Sequence, residues 1–167
     1  MKGCGWRASR GPLNADVRPD LSEFSLVRCA PDGIPTEPVV HMPDALVANC
    51  VATADLYRRI GYSEPWVGYV AVDAGQGVGG GAFVGAPQDN CVELAYFTLK
   101  EYEGRGYATR TVAALIEIAR QQEPQIVLKA FTLREHNAST SILQHYGFRV
   151  VGNARDKDAG TVWEWRA

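Results

Sequence analysis

The chain has 167 residues, 46% of them hydrophobic and 22% charged, with a formal net charge of −2. That length supports a sizeable core, and a charge so close to balance gives no sign of an electrostatic track for nucleic acid or an anionic membrane surface. No run reaches the roughly 20 apolar residues of a membrane helix and the opening segment lacks a signal-peptide core, so the expectation is a cytoplasmic protein with one domain over 21–167 behind a flexible arm at 1–20.

In chain order, "FSLVRCA" (24–30) predicts a strand, and "PDGIPTEP" after it a loop, because its prolines and glycine break any period. A helix is predicted from Pro43, with Leu46, Val47, Cys50, Val51, Ala54 and Tyr57 at helical spacing and a stop near Gly61. Three strands follow: "WVGYVAVD" turns through "AGQG" into "VGGGAFVG", and "APQDN" leads into "CVELAYFTL". Such short connections imply antiparallel pairing. The glycines at 79–81 mark a bulge, a close backbone approach or flexibility near a turn. Helical spacing resumes at Ala108 and continues through Val112, Leu115, Ile116 and Ala119 until Pro124. "IVLKAFT" is a strand reached by a crossover long enough for a parallel neighbour. "NASTSILQHYGF" is a short helix stopped at Gly147, and "FRVVGNAR" with "GTVWEWRA" forms a closing hairpin. The class is therefore mixed α/β, with helices flanking one central sheet.

Cys4, Cys29, Cys50 and Cys91 lack CxxC spacing, and His41, His136 and His145 form no ligand cluster. Neither a disulfide framework nor a metal is expected. The junction "EYEGRGYATR" is more telling. A new helix leaves its first N–H groups unpaired at the positive end of its dipole. Gly104 and Gly106 before Ala108 would let that backbone wrap a pyrophosphate, with Arg105 and Arg110 adding charge. A plain strand-to-helix turn accounts for the same residues. The segment is neither a Walker A loop nor GxGxxG, since Thr109 stands where a third glycine would be.

Together, "ELAYFTLKEYEGRGYATRTVAALIEIA" and "EHNASTSILQHYGF" resemble the two signature regions of the GNAT superfamily of N-acetyltransferases, in particular its branch of ribosomal-protein N-terminal acetyltransferases and their small-molecule-modifying relatives. The resemblance runs from about Pro65 to the C-terminus. It implies a mixed, mostly antiparallel sheet with acetyl-CoA in a V-shaped opening between the fourth and fifth strands, and no metal. It further implies that the backbone of Phe97, Thr98 and Leu99 pairs with the pantetheine arm, and that amides of Glu103, Gly104, Arg105, Gly106, Tyr107 and Ala108 hold the pyrophosphate. Two positions depart from the pattern. Glu101 stands where Gln or Arg is frequent, and Gln144 stands where many members carry a tyrosine general acid.

Glu93 is the candidate general base. It shares a strand face with Cys91, Ala95, Phe97 and Leu99, an apolar row that favours the protonated acid and so a better acceptor near neutrality. A glutamate at the sheet rim, or one paired with arginine, is the plainer alternative. Asn137 and Ser139 open the last helix, where capping is their ordinary work. The resemblance adds a pantetheine contact for Asn137 and a place near the thiol for Ser139. Tyr96 and Phe97 read as packed sheet residues, as do Trp66, Tyr69, Trp163 and Trp165, with the acceptor wall as their other use. The function implied is direct acetyl transfer from acetyl-CoA to a primary amine of a small molecule or peptide, by a monomer or homodimer. The alternative is a non-catalytic acyl-CoA-binding or protein-interaction module.

Overall fold

The computed structural model describes residues 23–167, so the arm expected at 1–20 lies outside the described residues. Seven strands form one sheet in the order β1-β2-β3-β4-β5-β7-β6. They are β1 Ser25–Arg28, β2 Gly68–Asp73, β3 Gln76–Phe83, β4 Cys91–Thr98, β5 Val127–Leu133, β6 Arg149–Asp156 and β7 Gly160–Arg166. Three helices accompany them: α1 Asp44–Ile60, α2 Tyr107–Gln122 and α3 Ala138–His145. Every neighbouring pair is antiparallel except β4 with β5.

Local chemistry explains the boundaries. α1 carries Asp44 in its first turn and Arg58 and Arg59 in its last, each matched to the dipole, and Gly61 at φ +88° ends it. Ala74 and Gly75, both at positive φ, make the tight turn between β2 and β3. β2 is buried at five consecutive residues because both of its faces are covered. Of the apolar positions expected on α1, Leu46, Cys50, Ala54 and Tyr57 are buried, whereas Val47 and Val51 are exposed. The spacing had made the apolar stripe one position too wide.

The glycine run serves both bulge and close approach. The β2–β3 register shifts so that Ala71 faces Gly79 and Val72 faces Gly77, leaving Val78 as the extra residue. A Cβ on Gly81 would stand 2.8 Å from Thr111 Cγ2 and 2.9 Å from Leu115 Cδ1, so α2 lies directly against that face. On the opposite face a Cβ at Gly68 would meet Thr53 and the Tyr57 hydroxyl, which places α1 there. One core cluster joins Leu94, Leu115, Leu128, Leu143 and Trp165, and a second gathers Leu46, Cys50, Val70 and Leu99 under α1. Among the described residues no helix is long and apolar enough to cross a membrane.

Candidate functional site

The sheet divides where its one parallel pair gives out. β4 and β5 are in register only at Cys91 with Val127, Val92 with Leu128 and Glu93 with Lys129. Beyond that third rung β4 stays with β3 as far as Thr98 and β5 stays with β7 as far as Leu133, so the two strands diverge. A cavity of about 270 Å3 occupies the fork, between Leu94 to Tyr96 and Ala130 to Leu133, with Asn137 and Ser139 at its α3 side. It adjoins a larger cleft of about 720 Å3 lined by Phe97, Thr98, the 102–109 turn and the first turn of α3.

Divergence leaves one edge of β4 free, and the hydrogen-bond phase identifies which groups it presents. Val84 donates its N–H to the Glu93 carbonyl, and Leu99 donates to Val78. In an antiparallel ladder such pairs alternate, so Glu93, Ala95, Phe97 and Leu99 turn their main chain to β3. Leu94, Tyr96 and Thr98 turn theirs to the fork. Of Phe97, Thr98 and Leu99, only Thr98 therefore offers backbone to that opening. The Phe97 and Leu99 main chains are bonded toward β3, and Tyr96 stands beside Thr98 on the fork side. Thr98 Oγ1 is also buried without a hydrogen-bond partner.

At the mouth of the cleft, Lys100–Tyr102 form a 3-10 turn and the chain enters α2 through Gly104 at φ +73° and Gly106 at φ +80°. Gly106 is the N-cap residue in left-handed conformation; no side chain caps the helix and no acidic residue sits in its first turn. A Cβ at either glycine would meet nothing within 4 Å, so the space over the turn is open. Glu103, Gly104, Gly106, Tyr107 and Ala108 line the cleft. Arg105 is exposed, its guanidinium 5.5 Å from the Tyr102 ring. Glu103 donates its N–H to the Lys100 carbonyl, which removes that amide from the free set. Glu101 is exposed and outside the cleft lining. The Tyr107 hydroxyl donates to Asp73 at 2.8 Å and Arg110 lies 3.6 Å from the same carboxylate, tying the start of α2 to the β2–β3 hairpin.

α3 differs from α2 at its start. Asn137 Oδ1 accepts from the Thr140 N–H while the Thr140 hydroxyl accepts from the Asn137 N–H, a reciprocal capping box. Asn137 Nδ2 donates to Glu135. Asn137 and Ser139 nevertheless line both the cleft and the fork. Tyr96 lines both as well, and its hydroxyl donates to the Ser139 carbonyl at 3.1 Å, bridging β4 to α3.

Glu93 sits at the last paired rung, lining the fork and a separate basin of about 640 Å3 on the other side, with Cys91, Lys129 and Arg166. Its carboxylate is 3.6 Å from Lys129 Nζ. Burial pushes the carboxyl above its ordinary range, and Lys129 only partly pulls it back. The partner is a lysine on the neighbouring strand, a pairing that appears only with the register. Gln144 is exposed, and the Tyr146 hydroxyl donates to the Thr109 carbonyl. His136 and His145 are exposed. Trp66, Tyr69 and Trp165 are buried in the core and Trp163 is half-buried. Lys129 and the Thr98 hydroxyl were not singled out in the sequence, and Tyr96 was read there first as a packed sheet residue. Only strand phase and register distinguish them from ordinary sheet residues.

Residues 22–149 match the family described as Acetyltransferase (GNAT) domain. No curated protein sequence matches the chain. Among solved structures, an acetyltransferase of the GNAT family from Bacillus anthracis matches with a TM-score of 0.53 and 14% identity, over 60% of this chain and 64% of its own. RimL, a ribosomal alpha-N-protein acetyltransferase in complex with coenzyme A, matches with a TM-score of 0.62 and 13% identity, over 87% of this chain and 93% of its own. The yncA protein of Salmonella typhimurium, with its cofactor acetyl-CoA, gives 0.54 and 18% over 72% of both chains. At these identities the likeness is one of fold.

Proposed function

The chain belongs to the GNAT acetyltransferase family, and we propose that it moves an acetyl group from acetyl-CoA directly to a primary amine of a small molecule or a peptide. The observation that carries this is the meeting of two unfilled surfaces, the uncapped first turn of α2 behind two left-handed glycines and the free edge of β4. An extended chain with amides at one end and a pyrophosphate at the other matches both. The solved relatives holding CoA or acetyl-CoA support the same assignment.

Acetyl-CoA supplies an activated acyl carbon and a thiolate leaving group. Amides of Gly104 to Ala108 hold its pyrophosphate at the helix terminus, and Tyr96 and Thr98 present N–H and C=O groups to its pantetheine arm. Glu93, at the base of the fork and open to the outer basin, accepts the ammonium proton directly or through water, leaving a neutral amine. The outer basin and the shallow groove beside Asn49, Thr53 and Leu56 of α1 lie on the Glu93 face of the sheet, where the acceptor enters. Ser139 lies at the thiol end and orients the leaving group or its water. Cys91 lines the outer basin and neither the cleft nor the fork, so transfer is direct, without an acyl-enzyme.

The deciding experiment titrates the protein with acetyl-CoA, then supplies a panel of primary amines and peptide N-termini while free CoA release is followed. Saturable one-to-one binding, competition by CoA and a covalently acetylated product are expected. Absence of binding at millimolar acetyl-CoA overturns the assignment. Binding with no turnover across the panel favours an acyl-CoA-binding module.

A further inference from the structure

We propose that the Tyr96 phenol is the group that protonates the departing thiolate. The inference rests on the acetyl-transfer function above and names the donor that function leaves open. Three side chains line both the main cleft and the fork, namely Tyr96, Asn137 and Ser139. A donor to the sulfur must reach that junction, since the acyl carbon has to meet an amine beside Glu93 at the base of the fork.

Chemistry separates the three. Asn137 is not an acid, and both ends of its amide are already engaged, by Thr140 and Glu135. Proton transfer from a serine hydroxyl to a thiolate is uphill by many pKa units. A phenol at about 10 and a thiol at about 8.5 differ by little more than one unit. Burial pushes the Tyr96 phenol higher still, so it carries its proton near neutrality. Its present partner, the Ser139 carbonyl at 3.1 Å, is a long bond for O–H to O and one the proton can leave for an anionic sulfur.

The other acids of the cleft, Tyr102, Glu103 and Tyr107, stand at its α2 mouth and do not line the fork. Neither Tyr146, whose hydroxyl points at the Thr109 carbonyl, nor His136, His145 or Gln144 lines the cleft or the fork. The step balances without a further reactant. As the amine nitrogen bonds the acyl carbon, the carbon–sulfur bond breaks and its electron pair stays on sulfur. Sulfur takes the phenolic proton. Glu93 took the ammonium proton before attack, and the nitrogen of the adduct gives its second proton through water to the phenolate. Glu93 releases its proton to solvent, so one proton leaves per turnover.

The test uses the full chain and free CoA, so it needs no acceptor. Ionisation of the bound thiol is followed by thiolate absorbance against pH, with desulfo-CoA complexes as blanks. A phenol donating to the sulfur stabilises the thiolate, so Tyr96→Phe should weaken bound-thiol ionisation roughly tenfold. Ser139→Ala should change it by much less. With an amine acceptor, Tyr96→Phe should also lower kcat by about 100-fold at nearly constant KM for acetyl-CoA. Should that variant fold poorly, 3-fluorotyrosine at position 96 keeps the shape with a more acidic phenol, and the alkaline limb of kcat then moves to lower pH. Equal thiol ionisation in wild type and Tyr96→Phe, with CoA bound to both, overturns the donor assignment and leaves acetyl transfer standing. Failure of wild type to bind CoA overturns acetyl transfer itself.

Discussion

At Glu93, burial and a nearby cation oppose each other, and burial wins. A base has to be unprotonated to work, so turnover falls on the acid side as pH drops through this raised value. Lys129, at 3.6 Å, holds that limb lower than burial alone would. Lys129→Met should therefore move the acid limb of kcat to higher pH. Glu93→Gln should abolish the limb and cost about 100-fold or more in kcat near neutrality, with CoA affinity kept because Glu93 lies outside the α2 turn. Rates measured across pH check both, and an acid limb unmoved by Lys129→Met would assign it to another group. Stability responds with the opposite sign. A carboxyl whose folded pKa exceeds its unfolded one takes up a proton on folding, so its contribution shrinks as pH rises between the two values. The apolar strand face made Glu93 visible in sequence; its lysine did not show, because a parallel partner 36 positions away follows only from register.

At the scale of elements, two kinds of glycine place α2, and their substitutions should fail in opposite ways. Gly81 has an ordinary φ, but a Cβ there would stand 2.8 Å from Thr111 and 2.9 Å from Leu115. Gly81→Val should push α2 off the sheet and lower the denaturation midpoint by about 1–3 kcal/mol of stability. At Gly106 a Cβ meets nothing, so crowding is absent and the difficulty is the left-handed backbone. Gly106→Val costs about 1–2 kcal/mol in place or is relieved by turning the peptide, which redirects the amides. CoA affinity should drop more than tenfold in Gly106→Val even where the denaturant curve moves little. Affinity preserved in that variant would locate the anion site elsewhere. The paired glycines were legible because turn chemistry is local. The reason for Gly81 was not, since it depends on a helix thirty residues further on.

Across the whole molecule, what the sequence disclosed divides between short-range and long-range causes. Every helix and strand follows from alternation, helical period or turn residues within a few positions. β7 inserting between β5 and β6, and β4 parting from β5 after three rungs, depend on packing between distant segments such as Leu94, Leu128 and Trp165. This is why Phe97 stood in the expected cofactor edge and Tyr96 did not. Their phase on β4 can be measured. Phe97 is hydrogen-bonded to β3, whereas Leu94, Tyr96 and Thr98 face the fork, so amide exchange along β4 should alternate in the free protein, fast at Tyr96 and Thr98 and slow at Phe97. CoA should then slow Tyr96 and Thr98 selectively, because its pantetheine arm supplies the partners that β5 withholds, while Phe97 changes only with global stability. Residue-resolved exchange with and without CoA reads this directly. Uniform protection from 94 to 98 in the free protein would mean the edge is already covered. Unchanged exchange at Tyr96 and Thr98 in the CoA complex would place the arm outside the fork.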